Sequence, residues 1–172
     1  MLIRNRKTTD DHEIYTLVKE AFASMPQASG DEQNLVGRLR QSAGYVPELE
    51  FVAEQDGRIV GHIMLTKIRI GNAEQLILAP LAVAPDRQRT GIGGALIEKA
   101  HKTAQKSGYS LVILVGHPTY YPRFGYRPAS TFGLTCAPEI PPECFMAFDL
   151  TGKGASFGTF VTFPPVFFEQ ET

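Results

Sequence analysis

The run Leu81-Ala82-Val83-Ala84-Pro85-Asp86-Arg87-Gln88-Arg89-Thr90-Gly91-Ile92-Gly93-Gly94-Ala95-Leu96 leads an apolar stretch into a basic, glycine-rich loop that opens directly into a helix-periodic segment. In physical terms such a loop is an anion site. Glycines let the backbone approach a ligand closely, and the first N–H groups of a helix lack intrahelical partners and point outward. The helix dipole and the side chains of Arg87 and Arg89 add positive potential, and a diphosphate fits that description. Three readings compete. A P-loop needs Lys-Ser or Lys-Thr after its glycines, which this loop lacks. A dinucleotide fingerprint needs a glycine where Leu96 stands, a turn straight out of the strand, and an acidic residue for the ribose; here a charged stretch intervenes. A glycine-rich helix start that binds nothing stays open on these residues alone.

Other reactive side chains are sparse. His12, His62, His101 and His117 form no metal-ligand spacing, so no metal is expected. Cys136 and Cys144 are too few for a disulfide framework and are expected as buried, unreactive thiols.

The elements that must position the loop follow from periodicity. Met1 to Lys7 reads as an edge strand. Asp10 to Ser24 reads as an amphipathic helix, with Ile14, Leu17, Val18, Ala21 and Phe22 at helical spacing. A second helix runs from Asp31 and stops near Gly44 and Pro47. Phe51 to Ala53 and Arg58 to Ile70 alternate as strands around the hairpin signal Asp56-Gly57. A turn at Gly71-Asn72 leads to a strand from Gln75 to Val83, ended by Pro85. Gly91 to Lys106 is helical, with Ile92, Leu96, Ile97 and Ala100 inward. Tyr109 to Val115 is a continuous apolar run, the mark of a strand covered on both faces. Short strands are expected at Gly133 to Cys136 and Phe145 to Leu150, within a proline- and aromatic-rich last third. The order β-α-α-β-β-β-α-β-α-β-β gives an α/β (α+β) fold. Its mixed, mostly antiparallel twisted sheet has about six or seven strands, flanked by helices.

At 172 residues, 43% hydrophobic and 20% charged, the chain fits one domain, 1–172, with a core at about 1–130 and a C-terminal part at about 131–172. A net charge of −1 argues against nucleic acid as a partner. The N-terminal MLIRNRKTTDD has no apolar signal region, and no apolar run reaches about 18 residues, so a cytoplasmic protein without a membrane partner is expected. A homodimer stays open.

Gln88-Arg89-Thr90-Gly91-Ile92-Gly93 resembles the Q/R-x-x-G-x-G/A signature of the GNAT superfamily of N-acetyltransferases. The preceding Leu81 to Pro85 looks like that family's fourth strand. The resemblance implies that Gln88, Arg89, Thr90, Gly91, Ile92, Gly93 and Gly94 hold the pyrophosphate of coenzyme A. It also implies that Leu81, Ala82 and Val83 contact the pantetheine arm, in a sheet whose middle strands splay. A second match, Tyr121-Pro122-Arg123-Phe124-Gly125-Tyr126, resembles the family's Y-x-K/R-x-G-F/Y element. It implies that Tyr121 protonates the departing thiolate, with Tyr120 an uninvolved neighbour. The resemblance covers roughly residues 1 to 130. One departure is plain: where many relatives carry an asparagine on a longer helix, this chain has Leu114. Gly116-His117-Pro118 makes an abrupt exit instead, with Pro118 suited to the first turn of a short helix.

The chemistry so implied is direct transfer of an acetyl group from acetyl-CoA to a primary amine of a small molecule or peptide. The Val83 N–H is the expected oxyanion donor and Tyr121 the general acid. No base is certain. Glu32, Glu54 and His117 are candidates, His117 having the best position and belonging to the residue type whose unperturbed pKa suits a base. The alternatives are a coenzyme-A-binding regulatory or assembly module without turnover, and an O-acyl or longer-acyl transferase.

Overall fold

Both residues of the Asp56-Gly57 turn adopt positive φ (54° and 74°), the geometry of a tight two-residue hairpin. It joins β2 (Glu50–Gln55) to β3 (Arg58–Ile70), and the turn at Gly71-Asn72 joins β3 to β4 (Ala73–Val83). β1 (Leu2–Asn5) pairs antiparallel with β2 at one edge. Helix α3 (Ile92–Lys106) carries the chain over to β5 (Leu111–Val115), which runs parallel to β4. β7 (Phe145–Asp149) pairs antiparallel with β5, and β6 (Arg127–Pro128) lies outside it. The computed structural model describes residues 1–137, 139–154 and 159–169. Among the described residues the sheet has seven strands in the order β1-β2-β3-β4-β5-β7-β6, mixed and mostly antiparallel as expected.

The helices take opposite faces. Gly61 of β3 faces α3, where a Cβ would meet Ile92 Cγ2 and Leu96 Cδ1 at 2.8 Å, and Lys99 lies over the Phe51 ring. Helices α1 (Asp11–Phe22) and α2 (Glu32–Gln41) cover the other face, and Arg40 of α2 reaches Glu50 there. The main core joins Ile14, Leu17, Val36 and Leu39 to the β2–β3 half of the sheet. A second core gathers Ile68, Ile77, Ile113 and Phe145 under Phe132, Leu134 and Val161 of the C-terminal third. That third therefore does the work of a covering layer for β5 and β7.

β4 and β5 pair only at Leu76–Val112 and Ile77–Ile113, although β4 continues to Val83 and β5 to Val115. The middle strands splay as expected, for visible reasons. β4 stays bound to β3 beyond a register shift opposite Met64, at Leu81–Ile63, Ala82–His62 and Val83–Gly61. Pro80 has no N–H to offer at that bend, and such irregularities re-aim a strand. β5 is held over its whole length by β7 on its far side.

Four expectations need correction. Gly133 to Cys136 is no strand. Among the described residues it contributes one bridge, Thr135 to Phe160, because a 3-10 turn at Ala129–Phe132 precedes it and Gly133 itself is left-handed. The helix expected after β5 is a single 3-10 turn, Tyr121–Phe124, which begins after Pro118 and is ended by left-handed Gly125. β6 was not anticipated; its Pro128 suits an outer strand, where no ladder donor is required. Cys136 and Cys144 are only partly buried, Cys136 because it lies at the rim of the second core. No helix among the described residues is long and apolar enough to cross a membrane.

Candidate active site

The glycine-rich loop leaves β4 at Ala84, whose N–H bonds back to Val60 O (2.9 Å). Alternation along the ladder then turns the backbone groups of Val83 the other way, into the gap left by β5. Consistent with this, the Val83 carbonyl takes its hydrogen bond from Gln88 Nε2 (3.3 Å). A 3-10 turn at Pro85–Arg87 follows, closed by Arg87 N–H to Ala84 O (2.8 Å). Arg89 and Gly91 both adopt positive φ (62° and 89°), and Gly91 caps α3 without any side-chain hydrogen bond. The first helical bond is Ala95 N–H to Gly91 O (3.1 Å). Among the described residues, the N–H groups of residues 88 to 94 meet no acceptor. An array of unpartnered donors at a helix start, free of acidic residues in the first turn, is a fit for an anion. Arg87 shares Asp86 with Arg58 (3.2 and 2.9 Å), whereas Arg89 is exposed and forms no ion pair among the described residues.

The turn after β5 closes over this loop. Tyr120 points its hydroxyl at Gly93, and Phe124 lies against Gly94, where a Cβ would be 2.8 Å from Cε1. Tyr121 lays its ring on Gly116 and meets Tyr120 and Tyr126 edge-on, at 5.0 and 5.7 Å between centroids. Burial, and secondarily Tyr120, pushes the Tyr121 hydroxyl well above the ordinary tyrosine value, so it keeps its proton at neutral pH. Behind it, Tyr126 Oη lies 2.7 Å from His101 Nε2, and the His101 ring stacks on Phe148 (4.2 Å). Burial lowers His101 to about 4, so this support is uncharged. An open groove of about 630 Å³ runs along α3 from Gly94 to Gln105, on the helix face that the short turn leaves uncovered.

A family model described as an acetyltransferase (GNAT) domain matches residues 47–128, which span the splayed strands, the loop and the tyrosine turn. The uncharacterized N-acetyltransferase YjhQ of Escherichia coli (strain K12) is 36% identical over 130 residues, 71% of this chain and 72% of that protein. The chain belongs to the GNAT acetyltransferase family. Among solved structures, a GNAT family acetyltransferase from Brucella melitensis in complex with acetyl-CoA is 29% identical, with 86% of each chain covered and a TM-score of 0.72. The GNAT family N-acetyltransferase YhbS from Escherichia coli, in complex with CoA, gives a TM-score of 0.85 over 98% of this chain and 92% of that one. At 23% identity it speaks for the fold alone.

Within this GNAT frame the expected bases fare unequally. Glu54 sits on β2, two strands from β4, and pairs with Arg4 (3.0 Å). Glu32 accepts hydrogen bonds from Ser29 N–H (2.6 Å) and Gly30 N–H (3.1 Å), holding the loop before α2. His117 is exposed at the exit of β5, where its Nδ1 accepts from Thr119 N–H (3.3 Å) and so caps the turn. Tyr120, expected as an uninvolved neighbour, stands against the helix start instead. Its hydroxyl belongs to the wall of the anion loop, and the small residue at Gly93 was the only signal of it.

Proposed function

We propose that this GNAT enzyme moves the acetyl group of acetyl-CoA directly to a primary amine of a small molecule or peptide. Residues 1–172 act as one catalytic domain in the cytoplasm. The observation that carries this reading is the row of N–H groups at residues 88 to 94 that meet no acceptor among the described residues, set beside the gap between β4 and β5.

Gln88, Arg89, Thr90, Gly91, Ile92, Gly93 and Gly94 hold the diphosphate through backbone donors and the Arg89 charge. Leu81, Ala82 and Val83 line the pantetheine arm, and the outward backbone of Leu81 and Val83 offers it strand-like hydrogen bonds. When bound, acetyl-CoA supplies an activated thioester. The Val83 N–H faces the gap and stabilises negative charge that develops on the acyl oxygen. Tyr121, protonated and supported by Tyr126 and His101, gives its proton to the departing sulfur.

The test joins calorimetry to turnover. Coenzyme A is expected to bind and to raise the melting temperature by mass action, and at least one amine is expected to release free thiol from acetyl-CoA. The panel covers alkylamines, polyamines, aminoglycosides, amino acids and peptides. Absence of coenzyme A binding at millimolar ligand overturns the reading. Binding without turnover on any amine leaves a coenzyme-A-binding module in its place.

A further inference from the structure

His62 stands on β3 directly opposite Ala82, the residue before Val83. Its neighbour Gly61 faces α3, so alternation turns the His62 ring to the α1–α2 face, together with the Ala82 methyl. The ring is wholly buried, and Nε2 lies 2.9 Å from Glu50 Oε1 on β2. Glu50 is also wholly buried and accepts hydrogen bonds from Arg40 Nη2 (2.5 Å) and Tyr45 Oη (2.6 Å). Burial opposes its charge, but the bonds from His62, Arg40 and Tyr45 hold the carboxyl down at about 2. A carboxylate accepting at Oε1 places the imidazole proton on Nε2 and leaves the lone pair on Nδ1. His62 Nδ1 is buried and has no hydrogen-bond partner among the described residues. Such an orphan is rare in native structures.

A structural tie between α2 and the sheet is already complete in Arg40, Tyr45 and Glu50. The histidine adds what the tie does not need: a second ring nitrogen without a partner among the described residues, one strand away from the proposed oxyanion donor. Beyond Ile77–Ile113, where β4 and β5 part, the β4 side chain that stands beside His62 on this face is only the methyl of Ala82.

We propose that His62 is the base that takes the proton of the acceptor ammonium, through water, from the α1–α2 side of β4, with Glu50 as its positioning residue. The proposal rests on the acetyl-transfer reading above. One proton moves: an N–H bond of the ammonium breaks and an N–H bond forms at Nδ1. The products are a neutral amine with its lone pair and an imidazolium balanced by Glu50. The charged and titratable groups around the ring come from each element packed there. They are Glu50 of β2, Arg40 of α2 and Tyr45 beyond it, with Asp11 of α1 pairing Arg40 (3.1 Å) and Arg6.

The test compares the alkylamine that turns over fastest with its aminooxy analogue. Near neutral pH an alkylamine of pKa about 10 arrives as ammonium and needs the base. The aminooxy compound is of similar size and arrives neutral. In His62→Gln, kcat/KM for the alkylamine falls by about 10²-fold or more, while the analogue stays within about threefold. Coenzyme A binding by calorimetry is unchanged in that variant. Equal loss on both amines, or loss on neither, overturns the proposal. A second readout needs neither acceptor nor variant. Long-range ¹H–¹⁵N spectra of the unmutated protein should show His62 with its proton on Nε2 and a bare Nδ1 near neutral pH. A proton fixed on Nδ1 from about pH 6 to about pH 9 overturns it equally. Failure of the unmutated protein to bind coenzyme A strikes the acetyl-transfer reading instead, and the two failures are thereby told apart.

Discussion

Gly93→Ala tests whether the tyrosine turn and the helix start are one packed unit. A Cβ at Gly93 would fall far inside contact distance of a single atom, Tyr120 Oη. The next nearest, Tyr120 Cζ and Val83 Cγ2, lie at 3.5 and 3.7 Å, ordinary van der Waals distances. Tyr120 has little room to yield, because Tyr121 and Phe124 meet its ring at 5.0 and 5.1 Å and Arg123 lies 4.7 Å over its face. Overpacking such a site costs about 1–3 kcal/mol. Replacing glycine by alanine in a helix returns up to about 1 kcal/mol. With the full return of about 1 kcal/mol the net loss is up to about 2 kcal/mol, or up to about 4–8 °C in melting temperature for a chain of this size.

Removing the offending oxygen changes the sign. In a Tyr120→Phe background the methyl meets only ordinary contacts, so Gly93→Ala becomes neutral or stabilising by up to about 1 kcal/mol. A double-mutant cycle by urea unfolding of the four proteins should therefore give a coupling of about 1–3 kcal/mol. Additivity within about 0.5 kcal/mol would refute the packing argument.

Tyr121→Phe should lower kcat by about 10²- to 10⁴-fold while leaving the coenzyme A dissociation constant in place; a kcat within about twofold makes the hydroxyl structural. Gly91→Asp should weaken coenzyme A at least about tenfold by calorimetry, since a left-handed non-glycine costs about 1–2 kcal/mol and the charge repels phosphate. Tyr120→Phe should also weaken coenzyme A, because its hydroxyl lies in the loop wall; an unchanged affinity places that hydroxyl outside the cofactor contact. For Glu50, the folded value of about 2 lies below the unfolded value of 4.5. Its stabilisation is therefore present above about pH 5 and is lost as pH falls toward 2, on the order of 3 kcal/mol. Glu50→Gln should flatten that stretch of the urea-derived stability curve, and an unchanged slope refutes the assignment.

How legible each part was depends on how local its cause is. The β2–β3 hairpin could be read because Asp56-Gly57 and strict alternation act within a few residues. The anion loop could be read because its glycines and arginines lie together in the chain. The C-terminal third was misread at Gly133 to Cys136. There, left-handed Gly133 and a preceding 3-10 turn break the strand, and its one partner among the described residues is Phe160. The Glu50–His62 pair was invisible for a different reason. The two residues are 12 apart and on neighbouring strands, and only the register that sets Val52 against His62 brings them together. The direction of Tyr120 depended on the 3-10 turn that follows it, whereas a longer helix would have turned the ring elsewhere.

The glycines of the loop consequently have different causes, although one motif contains them all. Gly91 is required by its backbone: φ is 89°, and a Cβ there would meet nothing within 4 Å. Gly93 and Gly94 have ordinary helical backbones and are required by the rings of Tyr120 and Phe124. Gly116, at the exit of β5, stands in the same relation to Tyr121. A long helix after β5 would cover α3 with a row of side chains; here Tyr120 and Phe124, at the start and end of one 3-10 turn, cover its first turn, and Tyr126 and Phe148 meet His101 further along. The donor array for the diphosphate and the proposed proton donor for the thiolate thus rest on the same few contacts. A substitution that loosens the turn should therefore disturb cofactor binding and proton donation together, whereas one confined to the Tyr121 hydroxyl should separate them.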